Sequence, residues 1–334
     1  MRLLHGFSEK EILDLYPNLS SGWNDRLAHV SRVYNLCKQF LRYFPEANEK
    51  ILLTATLLHD VGHIKEGKHA LNGSIMVKEL LKNRGFSEKE IGSISECIRT
   101  HSFKEKEGPI SIEGKILSDC DRIDVINIDT WLEVIDSKIN EGIEIDRVLS
   151  ECESWEKEWF SLGIKFFTKE GETKFKEIKK KKEEIIGLIK ENGLKILRRG
   201  ILIHYFDESF ENIFLVKRTK EFDWGVIAGT CEKNEGFVRT AVREFKEEAD
   251  IERFLFELLP SEISINLNLK LRSLDILHHY CTKKNKSDNP KINFPEEISD
   301  FLWCSINNPP KNMIPTNIKL NLRNFIENER SRNQ

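Results

Sequence analysis

Two clusters of side chains in this 334-residue sequence have the makings of chemistry. Five of the nine histidines, His29, His59, His63, His69 and His101, fall between positions 29 and 101. A second, acidic cluster comes much later, in the run REFKEEAD at 243–250. Imidazole with carboxylate is a ligand set for a first-row transition metal, whereas carboxylates alone suit a hard cation that takes oxygen ligands. Two chemistries in two places imply two sites.

On a helix over about 237–249, Glu244, Glu247 and Glu248 stand at i, i+3 and i+4 and share one face. Val242, Phe245 and Ala249 lie opposite, on the expected core face. Like charges at i, i+4 cost a helix roughly 0.2–0.5 kcal/mol per pair. A divalent cation bridging carboxylates to substrate phosphates offsets that cost. Arg243 can pair with the neighbouring carboxylates and hold their rotamers. EFKEE alone reads as a solvated acidic face; the longer spacing says more. Gly229 is followed by five residues, Glu235, seven residues, then Arg243-Glu244-Phe245-x-Glu247-Glu248 and Ile251.

This segment resembles the Nudix box at all its charged positions. Trp224-Gly-Val-Ile-Ala228-Gly229 looks like that family's strand running into the box, and Glu297-Ile-Ser-Asp-Phe-Leu-Trp303 like its late strand. The resemblance implies an α/β/α sandwich and Mg²⁺- or Mn²⁺-dependent water attack on a nucleoside diphosphate derivative. By position, Glu244, Glu247 and Glu248 would bind metal, the carbonyl of Ala228 would be a further ligand, and Glu235 would support the loop and helix. Arg243 counts with the three glutamates as catalytic; which carboxylate is the base stays open. There are two departures from the pattern. Asp250 replaces the last glycine of the box, where Asp tolerates a left-handed backbone better than most residues. Ala228 replaces a loop glycine.

In ILLTATLLHDVGH (51–63), a very apolar run ends in His59-Asp60. An Asp beside a buried helix is expensive unless paired or metal-bound. LSDCDRIDV (117–125) supplies Asp119, Asp121 and Asp124. The set H…HD…D resembles the HD-domain metal-dependent phosphohydrolases, an all-α family. That resemblance implies the metal ligands His29, His59, Asp60 and Asp121, with Asp119 as the fallback for the last. His63 stands where some HD enzymes carry a catalytic histidine. His69 and His101 would hold a second metal or bind phosphate. The metal would be Mn, Fe, Co, Ni or Zn, and a metal of this kind can acidify water into a nucleophile.

The elements that must position these residues change type once. Ser8-x-x-Glu11 and Ser87-x-x-Glu90 are capping-box signatures. Leu27, Val30, Val33, Leu36, Phe40 and Leu41 form a helical stripe, as do Phe175, Ile178, Ile185, Ile186 and Ile189 before a stop at Gly193. Residues 174–190 hold seven Lys and three Glu, interleaved with Ile, which reads as a solvated face. Beyond about 195 come short β-prone runs: Ile201–Phe206 and Ile213–Lys217 with a hairpin signal between them, then Ile263–Leu267, Leu274–Cys281 and Phe301–Ile306. His278-His279 reads as a core or edge feature. The expected architecture is two domains: an all-α HD helical bundle over 1–192, followed by an α/β/α Nudix sandwich over 195–334.

Lys and Arg total 52 against 55 Asp and Glu, a formal charge of −3, which argues against nucleic acid or an anionic membrane as partner. The seven cysteines are scattered and form no CxxC, so neither a disulfide framework nor a Cys-type zinc site is expected. No apolar run approaches the ~20 residues of a membrane span. A soluble cytoplasmic protein follows, acting on a small-molecule nucleotide, with a homodimer as the one further partner considered. The expectation is a bifunctional nucleotide hydrolase acting on phosphoanhydride and phosphoester bonds. The alternative is that one domain is a silent nucleotide sensor gating the other.

Overall fold

Ser8 and Ser87 each accept a hydrogen bond from the backbone three residues on, while Glu11 and Glu90 reach back to the serine backbone. Both expected capping boxes therefore form, opening α1 (Glu9–Leu15) and α5 (Glu88–Thr100) in this computed structural model. The structure describes residues 4–16, 25–103, 107–194, 196–219, 223–233, 235–253, 257–268, 270, 273–285, 288–308 and 310. Contacts divide the chain into two units, one of Leu3–Lys195 and one containing Ile196–Gln334. Among the described residues no helix is long and apolar enough to cross a membrane.

The first unit is helical. It continues with α2 (Arg26–Phe40), α3 (Glu49–Leu58), α4 (His69–Leu80), α6 (Ile112–Val125), α7 (Ile128–Asn140), α8 (Ile145–Ser161) and α9 (Lys169–Glu191). Asp25, Asn48, Ser111 and Thr168 cap α2, α3, α6 and α9 through their side chains. The α3 run is buried from Leu52 to Leu58, which fixes His59 and Asp60 at the end of a helix that cannot rotate. Gly193, at φ 54°, stops the chain after α9. The lysine run departs from expectation at one position. Lys179 and Lys180 pair with Glu183 and Glu184 on the surface, but Lys182 is buried against Glu156.

The second unit is a mixed sheet of β1 (Ile196–Phe206), β2 (Asn212–Arg218), β3 (Trp224–Gly225), β4 (Ile227–Thr230), β5 (Glu257–Asn268), β6 (Ser273–Lys283) and β7 (Ile298–Ser305), with α10 (Phe237–Ala249). The order is β3-β2-β1-β6-β5, with β4 on β1 and β7 on β2. β1 runs parallel to β6 along its whole length. The hairpin signal is met only at its mouth: β1 and β2 pair at Phe206 and Ile213, and β2 then pairs mainly with β7. Tyr205, Phe214 and Phe245 pack edge to face, which seats α10 on the sheet. On α10, Phe245 and Ala249 are buried as expected, whereas Val242 is only half-buried and Glu244 and Glu248 are buried. His278 is a core residue stacked on Phe237 at 3.8 Å. Residues 311–334 of the expected sandwich lie outside the described residues.

Candidate functional site

Histidine orientation in the helical unit is set at helix ends. His59 and His101 cap α3 and α5, and each Nδ1 faces a carbonyl three residues back, Thr56 at 2.7 Å and Ile98 at 2.6 Å. A carbonyl can only accept, so Nδ1 carries the hydrogen and Nε2 presents a lone pair. Burial drives His59 down to about 4, which keeps that lone pair free. His29, on α2, directs Nδ1 to Asp124 at 2.8 Å. Its Nε2 lies 3.0 Å from His59 Nε2 and 3.1 Å from Asp121 Oδ1.

Asp60 is the hub. One oxygen lies 3.7 Å from His29 Nε2 and 3.2 Å from Arg26. The other lies 3.4 Å from His63, 3.8 Å from His59 and from His69, and 3.9 Å from His101. Burial alone would raise its carboxyl, but the surrounding imidazoles and Arg26 hold it well below the usual carboxylate range. His63 sits on a 3₁₀ turn (Val61–Ile64), stacked on His69 with ring centroids 4.1 Å apart. Gly62 permits this: a Cβ there would collide with the backbone of His69 and Gly73. His69 in turn faces His101, Nε2 to Nε2, at 3.3 Å, and burial pushes it down to about 3.

Three groups of ligand atoms, each group within 4.8 Å, result: His29 with His59 and Asp121; His59 with Asp60 and His101; Asp60 with His63 and His69. The donor set is imidazole with carboxylate, two imidazoles have lone pairs fixed inward, and a third is backed by a carboxylate; this fits a first-row metal. The fallback Asp119 is elsewhere. It accepts from the backbone of Phe167 and Thr168 and from the Thr168 hydroxyl, tying α6 to the start of α9. Cys120 is buried helix packing.

In the sheet unit, β4 and α10 build the acidic site. Arg243 bonds both oxygens of Glu235 at 3.0 and 2.9 Å, Glu244 at 2.7 Å, Glu247 at 3.0 Å and the Thr230 carbonyl at 3.1 Å. Gly229 is required because a Cβ there would occupy the space of the Glu244 carboxylate. Burial raises Glu244, and raises Glu248 to about 8. Arg218 approaches Glu248 Oε1 at 3.1 Å and donates to the Ala228 carbonyl at 3.2 Å. Glu248 is therefore a buried carboxylate whose described neighbours include one guanidinium. Carboxylate and carbonyl oxygens brought together in this way fit a hard cation. Among the described residues these carboxylates form no such close group; Arg243 bonds Glu244 and Glu247, and Arg218 approaches Glu248. Asp250 takes φ 56°, ψ 33°, the left-handed conformation expected of it.

Residues 26–126 match the HD domain family and residues 196–325 the NUDIX domain family. The chain carries an HD domain followed by a NUDIX domain. No curated protein matches it in sequence. Among solved structures, the HD half is similar to a predicted HD superfamily hydrolase from an uncultured Thermotogales bacterium, at 22% identity over 55% of this chain and 92% of that one, TM-score 0.38. The NUDIX half is similar to a MutT NUDIX hydrolase from Burkholderia pseudomallei, at 19% identity over 39% and 96%, TM-score 0.31. It is also similar to an Ap4A hydrolase from C. elegans, at 17% identity over 41% and 98%, TM-score 0.32.

Sequence reasoning missed three supporting residues. Arg26 and Arg218 each sit on a candidate ligand carboxylate. Arg32 grips Asp124 through two bonds, 2.7 and 3.0 Å, and so braces His29. The spacing of Asp124, one helical turn after Asp121, was the available signal.

Proposed function

We propose that the chain is a bifunctional metal-dependent nucleotide hydrolase. The observation that carries this reading is the convergence of five imidazoles on the carboxylate of Asp60. His29, His59, Asp60 and Asp121 would hold a first-row metal, with His69 and His101 beside a second position. Glu244, Glu247, Glu248 and the Ala228 carbonyl would hold Mg²⁺ or Mn²⁺. Such ions supply Lewis-acid charge and an acidified water.

The chain's own residues do the rest. Asp124 and Arg32 fix the tautomer of His29. His63, one-third exposed, places Nε2 3.4 Å from Asp60 at the mouth of the site, within reach of a leaving oxygen. Arg243 locks the rotamers of Glu244 and Glu247. The NUDIX half cleaves a pyrophosphate bond in a nucleoside diphosphate derivative; the HD half acts on the phosphoester of the resulting monophosphate. The test is elemental analysis of the purified full chain, with a panel of dinucleoside polyphosphates, triphosphates, nucleotide sugars and monophosphates in Mg²⁺ and in Mn²⁺. A first-row metal and turnover in both bond classes are expected. A chain that takes up no such metal under any loading and cleaves no compound of the panel would overturn the reading.

A further inference from the structure

The helical unit contains a cavity that uses none of the histidine cluster. It opens between α7, α8 and α9, has a volume of about 400 Å³, and is lined chiefly by Trp131, Glu156, Lys157, Phe160, Lys182 and Gly187. That volume lies in the range that holds small-molecule ligands, ~300–1,000 Å³.

Three costly features meet there. Lys182 and Glu156 form a buried ion pair, with the ammonium 4.1 Å from the centroid of the Trp131 ring. A buried pair contributes little stability beyond an apolar pair of the same shape. The Trp131 indole Nε1 is buried with no hydrogen-bond partner among the described residues. Gly187 sits near the C-terminal end of α9 but still inside it, where glycine is the weakest helix former after proline. No close approach explains it, since a Cβ at Gly187 would meet nothing within 4 Å. Sequences tend to break such local rules at functional sites. The rim sets Lys157, Lys179 and Lys190 beside Glu153 and Glu183. Lys157 has no ion-pair partner among the described residues, Lys179 reaches Glu183 only at 3.8 Å, and Lys190 pairs with a half-exposed Glu153.

We propose that this cavity is an effector site for a nucleoside monophosphate. The base lies over Gly187 against Phe160 and Ile186, and the phosphate takes Lys157, Lys179 and Lys190. The choice of a monophosphate rests on the proposed function, whose NUDIX reaction releases that product; the cavity does not.

The test is calorimetric titration of adenosine monophosphate, and of adenosine, into the full chain with EDTA present. The protein carries Asp60→Asn and Glu247→Gln, which keep the shape of each side chain, so that neither metal site binds the probe. One binding event is expected. Gly187→Leu fills the cavity with a better helix former and should raise the Kd by at least ~10-fold without lowering the melting temperature. Lys157→Glu should weaken the monophosphate and spare adenosine. Absence of binding, or unchanged Kd values in both variants, overturns the site. If the cavity variants abolish binding while the wild type hydrolyses no nucleotide, the site stands and the catalytic reading falls.

Discussion

The HD and NUDIX centres solve the same problem in opposite ways. The proposed HD ligands come from α2, the end of α3 and α6, and their rings are oriented by the protein itself, because Asp124 holds Nδ1 of His29 and a helix-end carbonyl holds Nδ1 of His59. The NUDIX carboxylates come from a single helix, and arginines hold them: Arg243 spans Glu235, Glu244 and Glu247, and Arg218 covers Glu248. In the HD cluster carboxylates lie among the imidazoles: although burial opposes it, the hydrogen bonds to Asp121 and Asp124 raise His29 to about 10, so the nest carries its own countercharge. Three carboxylates on one helix carry none, and need internal cations until a divalent one competes for them.

That contrast can be broken by mutation. Asp60→Ala removes the hub that five imidazoles share. It should strip the first-row metal and abolish HD turnover while leaving pyrophosphate cleavage intact, as read by elemental analysis and product chromatography. Glu248→Gln should reduce pyrophosphate cleavage on the order of 10²-fold or more. Because Glu248 is buried and burial already resists its charge, its melting temperature should hold or rise, the opposite of Asp60→Ala. Asp124→Asn leaves every direct HD ligand in place but unfastens His29; metal affinity should fall by roughly 10–100-fold in a competition titration. Gly229→Ala pushes on the Glu244 carboxylate and should destabilise the NUDIX half by about 1–3 kcal/mol in urea. Asp250→Gly should shift stability by no more than about 0.5 kcal/mol, since it exchanges relief of a left-handed backbone for loss of the exposed pair with Lys246.

The same contrast explains what the sequence revealed. The acidic box is legible because strand, loop and helix are contiguous, and spacing along one helix is geometry in space. The HD set needed the fold. Asp119, Asp121 and Asp124 are equivalent in the sequence, but a helix turns about 100° per residue. Asp121 therefore points into the cluster, Asp124 falls behind His29, and Asp119 faces α9. Arg218 was invisible because a lone arginine at a strand end looks ordinary; only the return of β4 beside it brings the Ala228 carbonyl within reach. Lys182 was read as solvated because the packing of α8 against it is tertiary. Helices α1, α2, α3, α5, α9 and α10 and strands β1, β2, β5, β6 and β7 were legible in kind, whereas partners in the sheet were not: β1 pairs along its length with β6, far away in sequence, and only briefly with its neighbour β2.

The most direct test of two independent hydrolytic centres is a product time course for wild type, Asp60→Ala and Glu247→Gln on one nucleoside diphosphate derivative. Wild type should pass through the monophosphate to the nucleoside. Asp60→Ala should accumulate monophosphate, and Glu247→Gln should leave the starting compound intact yet still convert added monophosphate. Loss of both activities in either variant, or of neither, would contradict it.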